Sequence, residues 1–201
     1  MDSINYGGVM CLFTIDNGHR VLMGMRNPDY VKNQKRETSY ECPGGKLEKN
    51  KVLTEGHHKV GVPEEKNETL AQGVCREIME EFSLFFEQSQ FEGLPYSSSL
   101  DTSVGKTNVI YVMHLKETCV RGAACQLQYR CEQDPSLQEL KTIVSIDTNE
   151  LIDSLLSGGK TPKFSAVYMS DQKEVEEQYP LRAFNIFLIR AAIKDGLLKK
   201  Y

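Results

Sequence analysis

The sequence predicts an α/β fold of the α+β kind, a sandwich of helices around one mixed β-sheet. Three observations predict it. Two apolar runs flank a turn near the N-terminus, an amphipathic helical pattern begins at Glu68, and a second helical pattern closes the chain. With 201 residues the chain suits a single domain spanning 1–201, long enough to bury a sizeable core.

Residues 7–15, from Gly7 to Ile15, read as a buried strand, and His19–Met25 as its return. Asp16-Asn17-Gly18 between them is a hairpin turn signal. The polar stretch 27–38 reads as a loop. Ser39–Cys42 reads as a short strand stopped by Pro43-Gly44-Gly45. Residues 49–67 carry Gly56, Gly61 and Pro63, lack sustained apolar periodicity, and read as a long loop.

Beyond it, Leu70, Val74, Ile78 and Phe82 recur every fourth residue, which is helical spacing. Asn67 is the expected N-cap, with Glu68 in the first turn. Val109–Leu115 and Thr142–Ile146 read as strands, and Gln126–Cys131 as a further one. Asn149–Leu156 is a short helix, Lys163–Gln178 is irregular or partly helical, and Leu181–Leu198 is the closing helix after Pro180.

Composition narrows the function classes. Apolar residues make up 40% and charged residues 26%, as in a soluble globular protein. No apolar run reaches membrane-spanning length, and Met1–Gly8 lacks the pattern of a secretory signal. A cytoplasmic location is expected. The six cysteines form no CxxC pair, so reduced thiols are expected rather than a zinc site. A net charge of −4 gives no basic half to grip nucleic acid non-specifically. An acidic protein that handles an anionic substrate needs a bound metal or a local cluster of Lys and Arg.

The segment Arg76-Glu77-Ile78-Met79-Glu80-Glu81 concentrates the chemistry. On a helix Glu77 and Glu81 share one face, and Glu80 borders it. A pair of such charges about 4 Å apart, at an effective dielectric of about 20, repels by about 4 kcal/mol. No lysine lies between Glu68 and Glu81 to relieve this. Either the helix is simply a charged surface, or a hard divalent cation gathers the oxygens and keeps waters for substrate phosphates.

The neighbouring residues decide between them. The stretch resembles the Nudix box, Gly-x5-Glu-x7-Arg-Glu-U-x-Glu-Glu-x-Gly-U, where U is a bulky aliphatic residue. Arg76, Glu77, Ile78, Glu80, Glu81 and Leu84 match, and Glu68 stands eight before Arg76. Upstream, Pro43-Gly44-Gly45-Lys46-Leu47-Glu48 resembles the loop that enters the box. The opening hairpin ending at Arg26, Val144–Asp147 with the helix after it, and the closing helix extend the resemblance along most of the chain.

The resemblance implies a metal-dependent hydrolase that cleaves a phosphoanhydride bond in a nucleoside diphosphate linked to another group. It implies that Glu77, Glu80 and Glu81 bind Mg²⁺ or Mn²⁺, with the Gly44 carbonyl as a further ligand. Glu68 and Arg76 would brace the loop–helix–loop. Such ions polarise a phosphoryl oxygen and lower the pKa of an attacking water. Glu81, Glu77 and a distant-loop residue, Glu139, are the acid–base candidates. Arg26 and Lys46 are candidates for phosphate binding.

Two departures stand out. The 49–67 segment splits the box, and Ser83 occupies the glycine position after the helix. The segment carries Lys49, Lys51, His57, His58 and Lys59, and is either a lid or a tolerated insertion. Lys32, Lys35 and Arg36 form a basic cluster in an earlier loop. Pro95 and Tyr96 miss the spacings of the ADP-ribose and dinucleoside-polyphosphate subfamilies. Phe91, Tyr96 and Tyr111 could stack on a base or pack in the core. Two rivals stay open: a capped-RNA hydrolase, and a nucleotide-binding module without turnover.

Overall fold

The structure is a computed structural model, and it describes residues 5–30, 37–51, 65–157 and 162–201, without the side chains of 49–51 and 65–67. The basic cluster at 31–36 and residues 52–64, which include His57, His58 and Lys59, lie outside the described residues.

The opening hairpin forms as its pattern predicts. Strand β1 (Tyr6–Ile15) and strand β2 (Arg20–Arg26) meet at a turn in which Asp16, Asn17 and Gly18 all have positive φ. They pair antiparallel only next to that turn, at Phe13–Leu22 through Ile15–Arg20. Farther on they splay, and the segment around Pro43 fills the fork. Strand β3 (Tyr40–Glu41) pairs with β2, and strand β4 (Gly44–Lys46) pairs with β1. The Pro43 carbonyl accepts the Cys11 N–H at 3.0 Å. A proline carries no N–H to leave unpaired at such a crossover.

Strand β5 (Lys49–Lys51) and strand β6 (Glu65–Asn67) form a small antiparallel hairpin. Residues 49–67 are therefore not simply a loop, because their two ends pair. Helix α1 (Leu70–Phe82) follows. Its N-cap is Thr69, not Asn67, and Glu68 precedes the helix rather than occupying its first turn. Thr69 and Gln72 form a capping box, with bonds of 2.9 and 3.2 Å. Asn67 belongs instead to the strand ladder opposite Lys49.

Strand β7 (Tyr96–Asp101) and strand β8 (Lys106–His114) form the next hairpin. The polar Ser97-Ser98-Ser99 run hid β7 from any apolar pattern. Helix α2 (Glu117–Gln133) overturns the strand expected at Gln126–Cys131. Val120, Ala124, Leu127 and Cys131 are its buried stripe, at steps of four, three and four, which is helical spacing. Strand β9 (Leu140–Asp147) and helix α3 (Thr148–Leu156) come next. Strand β10 (Lys163–Phe164) and strand β11 (Val167–Tyr168) are two-residue strands where irregular or partly helical structure was expected, and strand β12 (Tyr179–Pro180) pairs with β10. Helix α4 (Ala183–Lys194) closes the fold.

The main sheet runs β11-β9-β2-β1-β8-β7, with β3 on β2 and β4 on β1. Among the described residues only its β1–β8 ladder is parallel, so the sheet is mixed. One face packs α1 and α2 through Val74, Ile78, Phe82, Val120 and Leu127, and the other packs α3 and α4 through Leu151, Leu155, Leu188 and Ile189. All six cysteines are free thiols. No helix among the described residues is long and apolar enough to cross a membrane.

Ser83 ends α1 in the left-handed region, at φ 56° and ψ 28°, and its N–H donates to the Met79 carbonyl. A side chain there costs about 1–2 kcal/mol. Its hydroxyl accepts a hydrogen bond from Arg130 at 3.1 Å, an exposed contact that returns less. Replacing Ser83 with glycine is expected to raise the melting temperature by about 2–4 °C, or about 1 kcal/mol in a chain of this size. A lower melting point by calorimetry would show that the Arg130 contact outweighs the strain.

Candidate active site

The fork between β1 and β2 positions the site. It holds Gly44 and Gly45 on β4 directly beneath α1. A Cβ on Gly45 would collide with the Glu77 carboxylate. A Cβ on Gly44 would lie 2.5 Å from the Val9 carbonyl oxygen and 2.7 Å from Met10 Cα. Close approach to backbone requires glycine at 44, whereas at 45 a side chain would have to displace the Glu77 carboxylate. The Gly44 N–H donates to Glu81 Oε2 at 2.8 Å. One helical face thus turns Glu77 and Glu81 onto two consecutive glycines.

Arg76 fastens this assembly. Its guanidinium bonds both oxygens of Glu68 at 3.0 Å, Glu77 Oε1 at 2.7 Å and Glu80 Oε2 at 3.3 Å. It also donates to the Lys46 carbonyl at 3.0 Å. The carboxylate repulsion expected along α1 is therefore met partly by an arginine of the same helix. Burial acts to raise the Glu68 carboxyl, but the Arg76 hydrogen bonds and the Glu48 N–H prevail and hold it below its ordinary value. Burial leaves Glu77 above its ordinary value despite Arg76. Lys46 is exposed at the rim of this loop.

Among the described residues Glu81 has no such partner arginine. Burial pushes its carboxyl well above the usual range, and negative charge on Glu41, Glu77 and Glu139 adds to the effect against the Gly44 N–H. Glu139 therefore lies within the field of Glu81, although 58 positions separate them in the sequence. Arg26, 4% exposed, pairs with Glu139 at 3.3 Å and with Glu41 at 3.6 Å. Glu41 is 1% exposed and is also paired with Arg182 at 2.9 Å. Its other oxygen, Oε1, is buried without a hydrogen-bond partner among the described residues.

Glu41 and Arg182 escaped the reading of the sequence. The signal for Glu41 was a charge inside a strand whose neighbours, Tyr40 and Cys42, are core residues. Arg182 carries no local signal, since its role comes from the bridge between Tyr40 and Leu181 that brings α4 to β3. Phe91 and Tyr111 are core, 1% and 4% exposed, and stack edge-on at 5.4 Å, while Tyr96 is half exposed.

As they stand, no three Asp, Glu, His or Cys side chains among the described residues converge closely enough to hold an ion. Glu80 is exposed and drawn to Arg76, and Glu81 is turned toward Gly44. The donor set nonetheless fits a hard divalent cation in kind. It consists of carboxylate oxygens, in a place where negative charge crowds Glu81 and where the neighbouring Glu41 leaves its Oε1 buried and unsatisfied.

No family model and no curated protein matches the sequence. Solved structures do resemble it. A MutT/nudix family protein from Enterococcus faecalis aligns at 13% identity and a TM-score of 0.47, covering 98% of this chain and 64% of that one. A mutT/nudix family protein from Listeria innocua aligns at 13% identity and TM-score 0.47, covering 98% of this chain and 100% of that one. The NUDIX domain of Shewanella oneidensis NrtR, complexed with ADP ribose, aligns at 13% identity and TM-score 0.42, covering 98% and 90%. The chain thus spans less than two thirds of the first of these and nearly all of the other two. Likeness at this level says nothing of what the chain does.

The electrostatics of Glu81 predict a stability effect. A carboxyl raised by the fold stays protonated at a pH where the unfolded chain has already ionised. The unfolded state then binds fewer protons, so stability falls as pH rises from the ordinary Glu value through the raised one. Glu81→Gln removes this burden. In metal-free buffer the variant is expected to melt above the wild type at pH 7–8, with the gap closing near about pH 4. Equal melting points across that range would refute the assigned crowding.

Proposed function

We propose that the chain is a Nudix-type hydrolase acting on a nucleoside diphosphate linked to a second group, with Mg²⁺ or Mn²⁺ as its cofactor. One observation carries the reading: Glu77 and Glu81 share a helical face seated on Gly44 and Gly45, with Glu41 and Glu139 facing Glu81. This supports the box resemblance in space, across its split.

Glu77, Glu80 and Glu81 would hold the cation, with the Gly44 carbonyl as a further donor. When bound, the cation would polarise a phosphoryl oxygen and make its attached water more acidic. Arg76 would release Glu77 and Glu80 while keeping Glu68 and the Lys46 carbonyl, so α1 stays fixed to the loop. Arg26 would remain between Glu41 and Glu139 and present positive charge toward the substrate phosphates, and Lys46 would do so from the rim. Glu139, paired with Arg26 and within the field of Glu81, would accept a proton from the attacking water, with Glu81 as the alternative base. Water adds to one phosphorus, the bridging oxygen leaves with the other phosphate, and two phosphomonoesters result.

The test is a panel of nucleoside diphosphate derivatives and capped RNA, incubated with purified protein and Mg²⁺ or Mn²⁺, with products separated by anion exchange. Turnover of a small nucleotide derivative is expected. Glu81→Gln is expected to lower kcat at least tenfold, about 1.4 kcal/mol in barrier, while melting no lower than the wild type. Gly45→Ala is expected to lower kcat similarly, because its methyl displaces the Glu77 carboxylate. Nucleotide binding without turnover on any substrate would favour the non-catalytic module, and a fully active Glu81→Gln would remove the assigned role.

A further inference from the structure

A cavity of about 1100 Å³ opens between the N-terminus of α1, residues 91–94 and the paired strands β7 and β8. None of the carboxylates proposed to hold the cation lines it. Glu68 does, but its charge is already met by Arg76 and the Glu48 N–H. Ligand cavities join an apolar lining to a few convergent polar groups, and this one has both.

Its floor is aromatic. Phe91 and Tyr111 are buried there, and Tyr96 packs edge-on to Tyr111 at 5.6 Å while keeping 42% of its surface open. Tyr96 and Tyr111 are directly opposed in the β7–β8 ladder, so both rings rise from one face of the sheet. Three hydroxyls gather on this wall. Those of Tyr6 and Tyr96 lie 3.1 Å apart. The Tyr111 hydroxyl has no hydrogen-bond partner among the described residues, although the residue is only 4% exposed. Burial pushes its pKa up to about 12, with the Tyr96 and Tyr6 hydroxyls adding to the effect, so at neutral pH it stays a neutral donor. A buried hydroxyl left without a partner calls for a ligand or a water to satisfy it.

The other side carries positive potential. Leu70 and Ala71, the first residues of α1, line the cavity. The capping box satisfies the Thr69 and Gln72 N–H groups and leaves those of Leu70 and Ala71 without helical partners. The dipole of this 13-residue helix favours an anion there. Lys106 stands exposed on the rim, and the exposed Glu92 is the acid that opposes it. One lysine and one helix terminus against one such carboxylate suit a single phosphate better than a chain of them.

We propose that this cavity binds a nucleoside monophosphate, with the base against Tyr96 and the phosphate toward Lys106 and the first turn of α1. Tyr111 and Lys106 stand five positions apart on β8, about 17 Å along an extended strand. A base, sugar and phosphate together cover that reach with the help of the lysine side chain, whereas a free base or inorganic phosphate does not. Stacking on an aromatic ring tolerates any base, so the tyrosine hydroxyls supply what selectivity the site has. The site is separate from the proposed metal-binding carboxylates, and the inference does not depend on hydrolysis.

Isothermal titration calorimetry of the full chain with AMP, in EDTA so that no divalent ion is bound, tests it. One-site binding with a Kd on the order of 100 µM is expected, with adenosine at least tenfold weaker. Tyr96→Ala and Lys106→Ala, both on exposed side chains, are each expected to raise the AMP Kd at least tenfold. Tyr111→Phe is expected to raise it severalfold while the core ring, and with it the melting temperature, is kept. Glu81→Gln is expected to leave the Kd unchanged, which separates this cavity from the proposed catalytic face. No binding up to about 5 mM AMP would overturn the proposal. So would binding that Glu81→Gln weakens and the Tyr96 and Lys106 variants leave intact, since AMP would then occupy the catalytic face. Adenosine binding as tightly as AMP would overturn the assigned ligand class.

Discussion

The Arg76 guanidinium is the contact on which the rest of the site depends. It reaches backward to Glu68, forward to Glu77 and Glu80, and sideways to the Lys46 carbonyl. Each contact crosses a different seam of the local structure. Glu68 precedes α1, Lys46 ends β4, and Glu77 lies over Gly45. Without that cation, Glu77 would be a buried carboxylate without an ion-pair partner, and Glu68 would keep only the Glu48 N–H; breaking a buried pair typically costs 3–5 kcal/mol. The same guanidinium neutralises two of the carboxylates proposed to hold a divalent ion. The arginine thus pairs with Glu77 and Glu80 but leaves Glu81 to its acidic neighbours.

This asymmetry divides the carboxylates by task. Glu68 lies below its ordinary pKa and strengthens the fold at neutral pH. Glu81 lies well above its ordinary value and weakens the fold. Groups kept in an unfavourable environment by the surrounding structure tend to mark sites of chemistry. Here the unfavourable group sits at the foot of the fork, between residues drawn from β3, α1 and the start of β9. Arg26 and Arg182 offset only part of the cost of burying Glu41, whose carboxyl burial holds above its ordinary value, and neither is an ion-pair partner of Glu81.

Much of this was legible in the sequence, and the gaps have physical causes. The apolar runs of β1, β2, β8 and β9 and the four-residue stripe of α1 carry strong periodicity. Helix α2 was misread because the stretch at Gln126–Cys131 is too short to separate period 2 from period 3.6, and Val120 and Ala124 lay outside it. Strand β7 was missed because an edge strand needs few apolar residues. Thr69 won the cap from Asn67 because its hydroxyl and Gln72 close a reciprocal pair, whereas Asn67 was already committed to a ladder. Glu77 and Glu81 were legible from helical spacing, and Arg76 and Glu68 from the resemblance to the box. Glu41 and Arg182 were not, since their importance arises only where β3 meets the start of α4.

The split of the box is the hardest feature to reconcile with an intact site, and the hairpin stem resolves it. The Glu68 N–H donates to the Glu48 carbonyl at 2.9 Å, and the Glu48 N–H donates to Glu68 Oε2 at 3.0 Å. Lys49–Lys51 and Glu65–Asn67 continue the pairing outward. The insertion therefore leaves and returns at one point, so Glu48 and Glu68 are neighbours in space as if nothing lay between them. Closing a longer loop costs only about 0.6 kcal/mol per doubling of length, less than the pinned ends recover through their hydrogen bonds and the Arg76–Glu68 pair. A motif read as contiguous spacing is really a requirement on where the chain is at its two ends. This chain meets that requirement through Glu68, whose carboxylate closes the stem and anchors Arg76 at once.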